Sequence, residues 1–142
     1  MSQYDPDNIF AKILRGELPS ETVYEDDATR VIMDIMPRVT GHALVLPKSP
    51  SRNILDISPA DLAACMTTVQ RVARAAKTAF DADGVTIQHF VEAAGGQMVF
   101  HTHWHILPRK EGEPLKPHSG EVAPADAIKA AGDKLRAALN ED

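Results

Sequence analysis

The sequence has only one cysteine, Cys65, among its 142 residues, so it cannot form an internal disulfide bond. A lone thiol suits a reducing compartment, and the polar, acidic start of the chain, residues 1–8, is unlike a signal peptide. No apolar run approaches the ~20 residues that a membrane span requires. These features predict a cytoplasmic protein that does not associate with membranes.

The sequence also lacks an excess of positive charge. Its formal net charge is −5, which disfavours a nucleic acid as partner, because the phosphate backbone is bound mainly through lysine and arginine. A small anionic ligand remains compatible, since a local site can be positive or dipolar on an acidic protein. The hydrophobic fraction of 44% and the charged fraction of 25% are typical of a globular protein. The length predicts one domain over residues 1–142.

Histidine is concentrated in one short stretch of the chain. Three of the six histidines, His101, His103 and His105, are spaced two residues apart. Aromatic and β-branched residues, which favour strands, fill the alternate positions. The pattern predicts a strand over residues 98–107 that projects three imidazoles in a row from one face and packs its apolar side chains behind them.

Three kinds of surface fit such a row: a nucleophile for phosphoryl or nucleotidyl transfer, a metal site, or a half-solvated sheet face. The stretch contains no Asp or Glu to hold metal-ligating histidines in place. The preceding Gly95-Gly96-Gln97 is typical of a backbone that approaches an anion closely. On the residues alone, the nucleophile and the metal site both stay open.

The segment Gly95–Arg109 resembles the signature of the histidine-triad (HIT) family, His-x-His-x-His followed by two apolar residues. Three earlier blocks, Asn8–Ile13, Asp34–Pro37 and Gly41–Lys48, resemble other family blocks in the same order. The resemblance covers a core of residues 8–109 and leaves 110–142 as a C-terminal loop and helix. It implies an α+β fold, in which a long helix packs across a five-stranded antiparallel sheet and two chains pair as a homodimer.

The resemblance further implies an enzyme that acts at the α-phosphate of purine nucleoside phosphoramidates or dinucleoside polyphosphates. His103 would attack the phosphorus and form a nucleotidyl-histidine intermediate. His101 would orient it, and His105 and His42 would stabilise charge on the phosphoryl oxygens. This chemistry needs no cofactor and no metal. Two alternatives remain: a metal-binding protein that uses the histidine row, or a non-catalytic nucleotide-binding module that regulates a partner.

The resemblance also assigns the substrate-binding residues. Asp34 would bind the ribose hydroxyls, and backbone groups near Gln97 would bind phosphate, with the Gln97 side chain near the leaving group. The full predicted set is Phe10, Ile13, Ile32, Asp34, Ile35, Gln97, Met98 and Val99. Family members usually carry Asn near position 91; this chain has Val91, which cannot make the same hydrogen bond. The neighbouring Glu92 could substitute in part, although its charge would oppose a phosphate.

Some bacterial members hold a structural zinc with paired cysteines and a later histidine. This chain has Asn8, Ala11 and Pro50-Ser51 at those places, so we expect no structural zinc. Periodicity and capping signals predict the secondary structure. The predicted helices are 7–15, 58–81 and 124–139, the predicted strands are 21–25, 29–35, 42–47, 85–91 and 98–107, and His118 is expected in a solvated loop.

Overall fold

The computed structural model describes residues 4–117 and 121–141; His118 lies outside them. The order of elements is α1 (Ile9–Leu14), β1 (Thr22–Glu25), β2 (Thr29–Met33), β3 (Ala43–Pro47), α2 (Pro59–Ala79), β4 (Gly84–Gln88), a short 3₁₀ turn (Ala93–Gly95), β5 (Trp104–Arg109) and α3 (Ala125–Asn140). No helix in the described parts of the chain is long and apolar enough to cross a membrane.

The five strands form one sheet in the order β1-β2-β3-β5-β4, with every neighbouring pair antiparallel. Strand β5, which lies between β3 and β4, places His105 opposite Leu44 of β3 on one side and opposite Gln88 of β4 on the other. The α+β class and the five-stranded antiparallel sheet are therefore confirmed. Residue pairing across antiparallel strands puts these three side chains on the same sheet face.

Capping residues set where the long helix begins, as the sequence predicts. The Ser58 side chain accepts a hydrogen bond from the Asp61 amide at 3.1 Å, and Pro59 occupies the first helical position. The last helix, α3, buries Ile128, Leu135 and Leu139 against α2 and β1. Its alanine-rich stripe is thus part of the core.

The two faces of the sheet bury different amounts of apolar surface. Helices α2 and α3 cover one face, where Val31, Val45, Trp104 and Ile106 meet the apolar stripes of both helices. On the other face α1 covers a smaller cluster of Phe10, Ile32, Leu44 and Leu46. Cys65 lies fully buried in the larger cluster, and burial raises the pKa of its thiol to about 12, so it is an inert packed residue.

The predicted strand over 98–107 is wrong in its first half, because β5 begins only at Trp104. Residues 99–103 make other hydrogen bonds: the Thr102 amide donates to the Ser51 carbonyl at 2.9 Å, and the two hydroxyls lie 2.6 Å apart. The expected row of three imidazoles is wrong as well, since His101 turns into the protein interior and is fully buried. The preceding strand also ends early, at Gln88 rather than residue 91.

Candidate active site

A cavity of about 300 Å³ opens on the sheet face that carries α1. Its floor comes from β2, β3 and β5, and its rim comes from α1, the β2–β3 connection and the loop before the histidine stretch. The lining residues are Ile9, Phe10, Ile13, Pro19, Ser20, Ile32, Met33, Asp34, Ile35, Met36, Arg38, His42, Leu44, Phe90, Gly96, Met98, Val99, His103 and His105. A mainly apolar cavity with a few convergent polar groups is typical of a small-molecule site.

His103 lies between Phe10 and His105 on the cavity floor. Its ring packs edge-on against Phe10, with centroids 4.8 Å apart, and against His105 at 5.0 Å. The Nδ1–H donates to the main-chain carbonyl of His101 at 2.6 Å, which fixes the tautomer and leaves the lone pair on Nε2. Burial lowers the pKa of His103 to about 4, so the ring is neutral at pH 7.

His101 supports His103 from behind and does not line the cavity. Its Nε2–H donates to the Pro47 carbonyl at 2.8 Å, and its Nδ1 accepts a 2.6 Å hydrogen bond from the Tyr4 hydroxyl. Both ring nitrogens are therefore occupied, and burial lowers the pKa of this imidazole. The fixed ring in turn fixes the His101 carbonyl that holds His103. This placement agrees with the orienting role that the sequence predicts.

Two hydrogen bonds set the tautomers of His42 and His105. The Arg38 main-chain amide donates to His42 Nδ1 at 3.1 Å, so the proton of the neutral ring lies on Nε2. That Nε2–H donates to His105 Nδ1 at 2.9 Å. A neutral His105 then carries its own proton on Nε2. Since His105 lines the cavity, the site holds a donor, His105, beside the unprotonated Nε2 of His103.

Asp34 follows the last residue of β2 and lines the cavity. Its Oδ1 accepts from the Met36 amide at 2.8 Å, and its Oδ2 lies 3.5 Å from His42 Nε2. Burial raises the pKa of the Asp34 carboxyl group, which the hydrogen bond from Met36 counteracts. The carboxylate therefore stands at the junction of the apolar cavity wall and the histidine pair.

The predicted substrate-binding residues lie together, with one exception. Phe10, Ile13, Ile32, Asp34, Ile35, Met98 and Val99 all line the cavity. Gln97 does not: it is buried, its Nε2 donates to the carbonyls of Arg52 and Val99, and its Oε1 accepts from Asn53 and from the Glu92 amide. These hydrogen bonds use the whole side-chain amide to hold the loop beneath the cavity.

The expected substitution of Glu92 for a missing asparagine is not seen. Glu92 lies outside the cavity lining, and its carboxylate accepts from the Arg52 guanidinium at 2.8 Å and from Asn53 at 2.7 Å. Three residues that sequence reasoning did not select do contribute: Tyr4 behind His101, and Arg38 and Phe90 in the cavity wall. Tyr4 and Arg38 lie outside the predicted helices and strands, and Phe90 is one apolar residue of the predicted strand 85–91, so no motif marks any of the three as a site residue.

One group of side chains in residues 4–117 and 121–141 has metal-binding geometry: Asp34, His42 and His105, whose donor atoms lie within 4.8 Å of one another. The row His101, His103 and His105 does not form such a group. Moreover, His42 Nε2 carries the proton that it donates to His105, so a metal there would require its loss while Arg38 still donates to Nδ1. The hydrogen bonds therefore favour a metal-free state of this group.

Comparison with known proteins agrees with this geometry. The family model described as HIT domain matches residues 15–112, more than half of the chain. The chain belongs to the HIT family. A crystal structure of a HIT-like protein involved in cell-cycle regulation from Bartonella henselae is similar to it over 96% of this chain and 99% of that one, at 47% sequence identity and a TM-score of 0.90.

Two further HIT relatives bear on the chemistry. A zinc-bound histidine-triad protein from Mycobacterium smegmatis is 34% identical, with a TM-score of 0.83, over 95% of this chain and 94% of that one. The adenylylsulfatase HINT3 of Arabidopsis thaliana is 38% identical over 119 residues, which are 80% of this chain and 60% of that protein. The HIT family thus includes a relative named as a hydrolase and one that holds zinc.

Proposed function

We propose that this HIT-family chain is a purine-nucleotide-binding hydrolase or transferase. It cleaves nucleoside phosphoramidates or dinucleoside polyphosphates at the α-phosphate through a nucleotidyl-His103 intermediate. The observation that carries the proposal is the state of His103: its Nδ1–H is held by the His101 carbonyl, its Nε2 keeps the lone pair, and its ring faces the cavity. A neutral, oriented imidazole meets the requirements of a nitrogen nucleophile.

In the first step His103 Nε2 attacks the α-phosphorus. A phosphorus–nitrogen bond forms, the bond to the leaving group breaks, and the leaving group takes the electron pair. An amine leaving group also gains a proton, which it takes from the solvent. His105 Nε2–H donates to a phosphoryl oxygen, whose charge grows in the transition state, and His42 supports His105 through its own Nε2–H. A donor of this kind, fixed before the reaction, is worth several kcal/mol of transition-state stabilisation.

In the second step a water molecule attacks the phosphorus of the intermediate. The phosphorus–nitrogen bond breaks, its electron pair returns to His103 Nε2, and the water loses one proton to the solvent. Tyr4 and the Pro47 carbonyl hold His101 throughout, so the ring of His103 keeps its orientation between the two steps. An alcohol or phosphate in place of water would make the same site a transferase.

The apolar end of the cavity supports a purine base as the bound group. Phe10, Ile13 and Ile32 form a wall beside His103, and Ile32 also belongs to the buried cluster under α1. Asp34 lies where this wall ends, and a carboxylate there can accept from both ribose hydroxyls. The cavity thus combines an apolar wall, a carboxylate and histidines, which are the kinds of group that suit the base, the ribose and the α-phosphate of a purine nucleotide.

The deciding experiment is turnover of an adenosine 5′-phosphoramidate that carries a fluorescent amine. Wild type and His103→Ala are assayed side by side, each with and without EDTA. We expect turnover that survives EDTA and disappears in the variant. Turnover that EDTA abolishes would refute the metal-free mechanism and point to the Asp34–His42–His105 group. AMP binding without turnover of this amide or of diadenosine polyphosphates would refute the enzyme and favour a regulatory nucleotide-binding module.

We also propose that two chains pair as a homodimer in the cytoplasm. The edge strand β4 supports the pairing, because among residues 4–117 and 121–141 it pairs with β5 alone and leaves Ile87 48% exposed. Exposed sheet edges are usually covered or protected in native proteins. Sedimentation equilibrium of the full chain and of an Ile87→Lys variant tests this: a dimer that the substitution dissociates is expected, and a monomeric wild type would contradict it.

A further inference from the structure

Arg38 brings a positive charge to the cavity wall at the level of His105. Arg38 lines the cavity together with His42 and His105. Its main-chain amide donates to His42, and its Nη1 donates to the Gln88 side chain at 3.3 Å. Gln88 is the residue of β4 that pairs with His105, so both attachments of Arg38 lie beside that histidine.

The C-terminal segment holds this arginine in place. Arg38 Nε donates to the Lys116 carbonyl at 2.8 Å, and the Lys116 amide donates back to the Arg38 carbonyl at 2.8 Å. A second main-chain hydrogen bond, from the Ala123 amide to the Ile35 carbonyl, ties the residues just before α3 to the same β2–β3 connection. The guanidinium is therefore oriented before any ligand arrives, which lowers the entropic cost of binding.

The charge of Arg38 is not matched by a carboxylate. Among the acidic residues in the described ranges 4–117 and 121–141, none lies within 4.0 Å of this guanidinium. Its recorded hydrogen-bond acceptors are a carbonyl and an amide oxygen, both neutral. By contrast, Arg52 and Arg136 each pair with a glutamate. A partly buried, unpaired guanidinium in a cavity is suited to a second anionic group of the ligand.

The leaving group decides what the site must supply. An amine leaves phosphorus only after it gains a proton, and arginine is too weak an acid to give one. A sulfate or phosphate that leaves from an anhydride departs as an anion and needs positive charge rather than a proton. Arg38 therefore suits anhydride substrates and offers little to a phosphoramidate.

We propose that Arg38 is a specificity residue that binds the departing anion, so that the preferred substrates are nucleotidyl anhydrides such as a nucleoside 5′-phosphosulfate or a dinucleoside polyphosphate. This inference rests on the proposed function. In the first step the bond between the α-phosphorus and the bridging oxygen breaks, and that oxygen keeps the electron pair. The departing sulfate or nucleotide phosphate then faces the guanidinium, held by Lys116 and Gln88.

The test compares kcat/KM for three substrates: an adenosine 5′-phosphoramidate with an uncharged amine, adenosine 5′-phosphosulfate and diadenosine triphosphate. The proteins are wild type, Arg38→Gln, Arg38→Lys and the matched control Lys77→Gln. Lys77 is exposed on α2, across the sheet from the cavity, so its variant removes the same charge elsewhere. The melting temperature of each variant is measured alongside.

We expect Arg38→Gln to lower kcat/KM for the phosphosulfate or the diadenosine triphosphate by about tenfold or more, as loss of a charged hydrogen bond does. The phosphoramidate should change less than about threefold, Arg38→Lys should recover part of the loss, and Lys77→Gln should match wild type. If kcat/KM falls for the anhydrides but not for the phosphoramidate, the affected substrate identifies the anion that Arg38 binds: sulfate, nucleotide phosphate or both. Equal losses on all three substrates would overturn the proposal and leave Arg38 as a support for His42, and no loss on either anhydride would overturn it outright.

A binding measurement separates this inference from the proposed function. The dissociation constants of AMP and α,β-methylene-ADP are compared by calorimetry in wild type and Arg38→Gln. The extra phosphonate of the second ligand should tighten binding in wild type, and the variant should lose most of that gain. Should wild type turn over none of the substrates, the enzyme proposal fails; an unchanged ratio of the two constants would overturn the role of Arg38 by itself.

Discussion

The two faces of the β-sheet differ in what they bury. The face under α2 and α3 buries a cluster of seventeen residues, most of them apolar, among those the structure describes, whereas the face under α1 buries four. The second face instead buries polar rings: His42, His101, His103 and His105 are each less than a tenth exposed. Apolar burial stabilises the fold in proportion to area, while buried polar groups stay only where hydrogen bonds compensate them.

The residues that contribute most of the apolar burial and the residues that line the cavity therefore lie on opposite faces of one sheet. Adjacent residues of β5 divide between them: Trp104 and Ile106 pack toward the helices, and His105 faces the cavity. Substitutions on the helix side should therefore change the free energy of unfolding and leave catalysis intact. Substitutions on the cavity side should do the reverse. Four predictions test this separation, from the largest expected effect to the smallest.

The largest effect is expected for His103→Asn. The asparagine amide can still donate to the His101 carbonyl, but it offers no nucleophile, so kcat for an adenosine phosphoramidate or anhydride should fall by about 10⁴-fold or more. The free energy of unfolding should change by less than about 1 kcal/mol, because the hydrogen bond is kept. Steady-state kinetics and urea unfolding measure both. Retention of a tenth of the activity would contradict the nucleophile.

On the opposite side, Leu135→Ala should lower the free energy of unfolding by about 2–5 kcal/mol. The Leu135 side chain on α3 is fully buried in the core on the helix side of the sheet, so its truncation leaves a cavity. KM and kcat at 25 °C should match wild type. The control is Leu55→Ala, since Leu55 is 66% exposed and its loss should cost less than about 1 kcal/mol. A changed KM in Leu135→Ala would show that the two faces are coupled.

The third effect is a dependence of stability on pH. Burial holds the pKa of His103 at about 4 in the folded chain, against 6.5 in the unfolded chain. Between these values the unfolded chain binds more protons, so stability falls as the pH falls. From pH 7 to pH 5 this one group should cost about 2 kcal/mol. Urea unfolding at both pH values should show the loss, reduced by that amount in His103→Asn. An equal loss in wild type and variant would show that His103 does not cause it.

The smallest effect is expected for Tyr4→Phe, which removes only the hydroxyl that holds His101 Nδ1. Loss of one buried hydrogen bond should cost about 1 kcal/mol of stability and lower kcat a few-fold, because His101 orients His103. Tyr24→Phe is the matched control on the other side of the molecule, where the hydroxyl donates to Asp26. It should cost similar stability and leave kcat unchanged. A fall of kcat in both variants would argue against a specific link between Tyr4 and the site.

Local patterns explain most of the fold that could be predicted from sequence. The apolar spacing and the Ser58-Pro59 start indicated α2, alternating residues indicated β2, and a compact apolar run indicated β3. The strand at the histidines was placed six residues too early. Alternation alone cannot tell that the amide of Thr102 bonds to Ser51, a residue about fifty positions away. Long-range partners of this kind end or delay a strand without leaving a trace in the local pattern.

The candidate site divides in the same way. Motif residues such as His103, His105 and Asp34 were found because their spacing or their resemblance to a family marks them, and all three line the cavity. Tyr4 and Arg38 were missed because they reach the site through contacts made by folding. Tyr4 contacts His101, and Arg38 contacts His42, Gln88 and Lys116. The motif predicted the Gln97 side chain near the leaving group, but in the structure its Nε2 donates to the carbonyls of Arg52 and Val99. A motif fixes which residue is present, and the fold decides what its side chain contacts.

The hydrogen-bonded series from the Arg38 amide through His42 to His105 has a direction. It begins at a peptide nitrogen, which cannot release its proton at neutral pH, and every later proton is oriented away from that start. No proton can therefore leave His105 by this route, since the acceptor side of each ring is already filled. The series is a closed end for proton conduction. The Arg38 end of the series therefore fixes the tautomers of His42 and His105, and it cannot supply a proton to His105 Nε2.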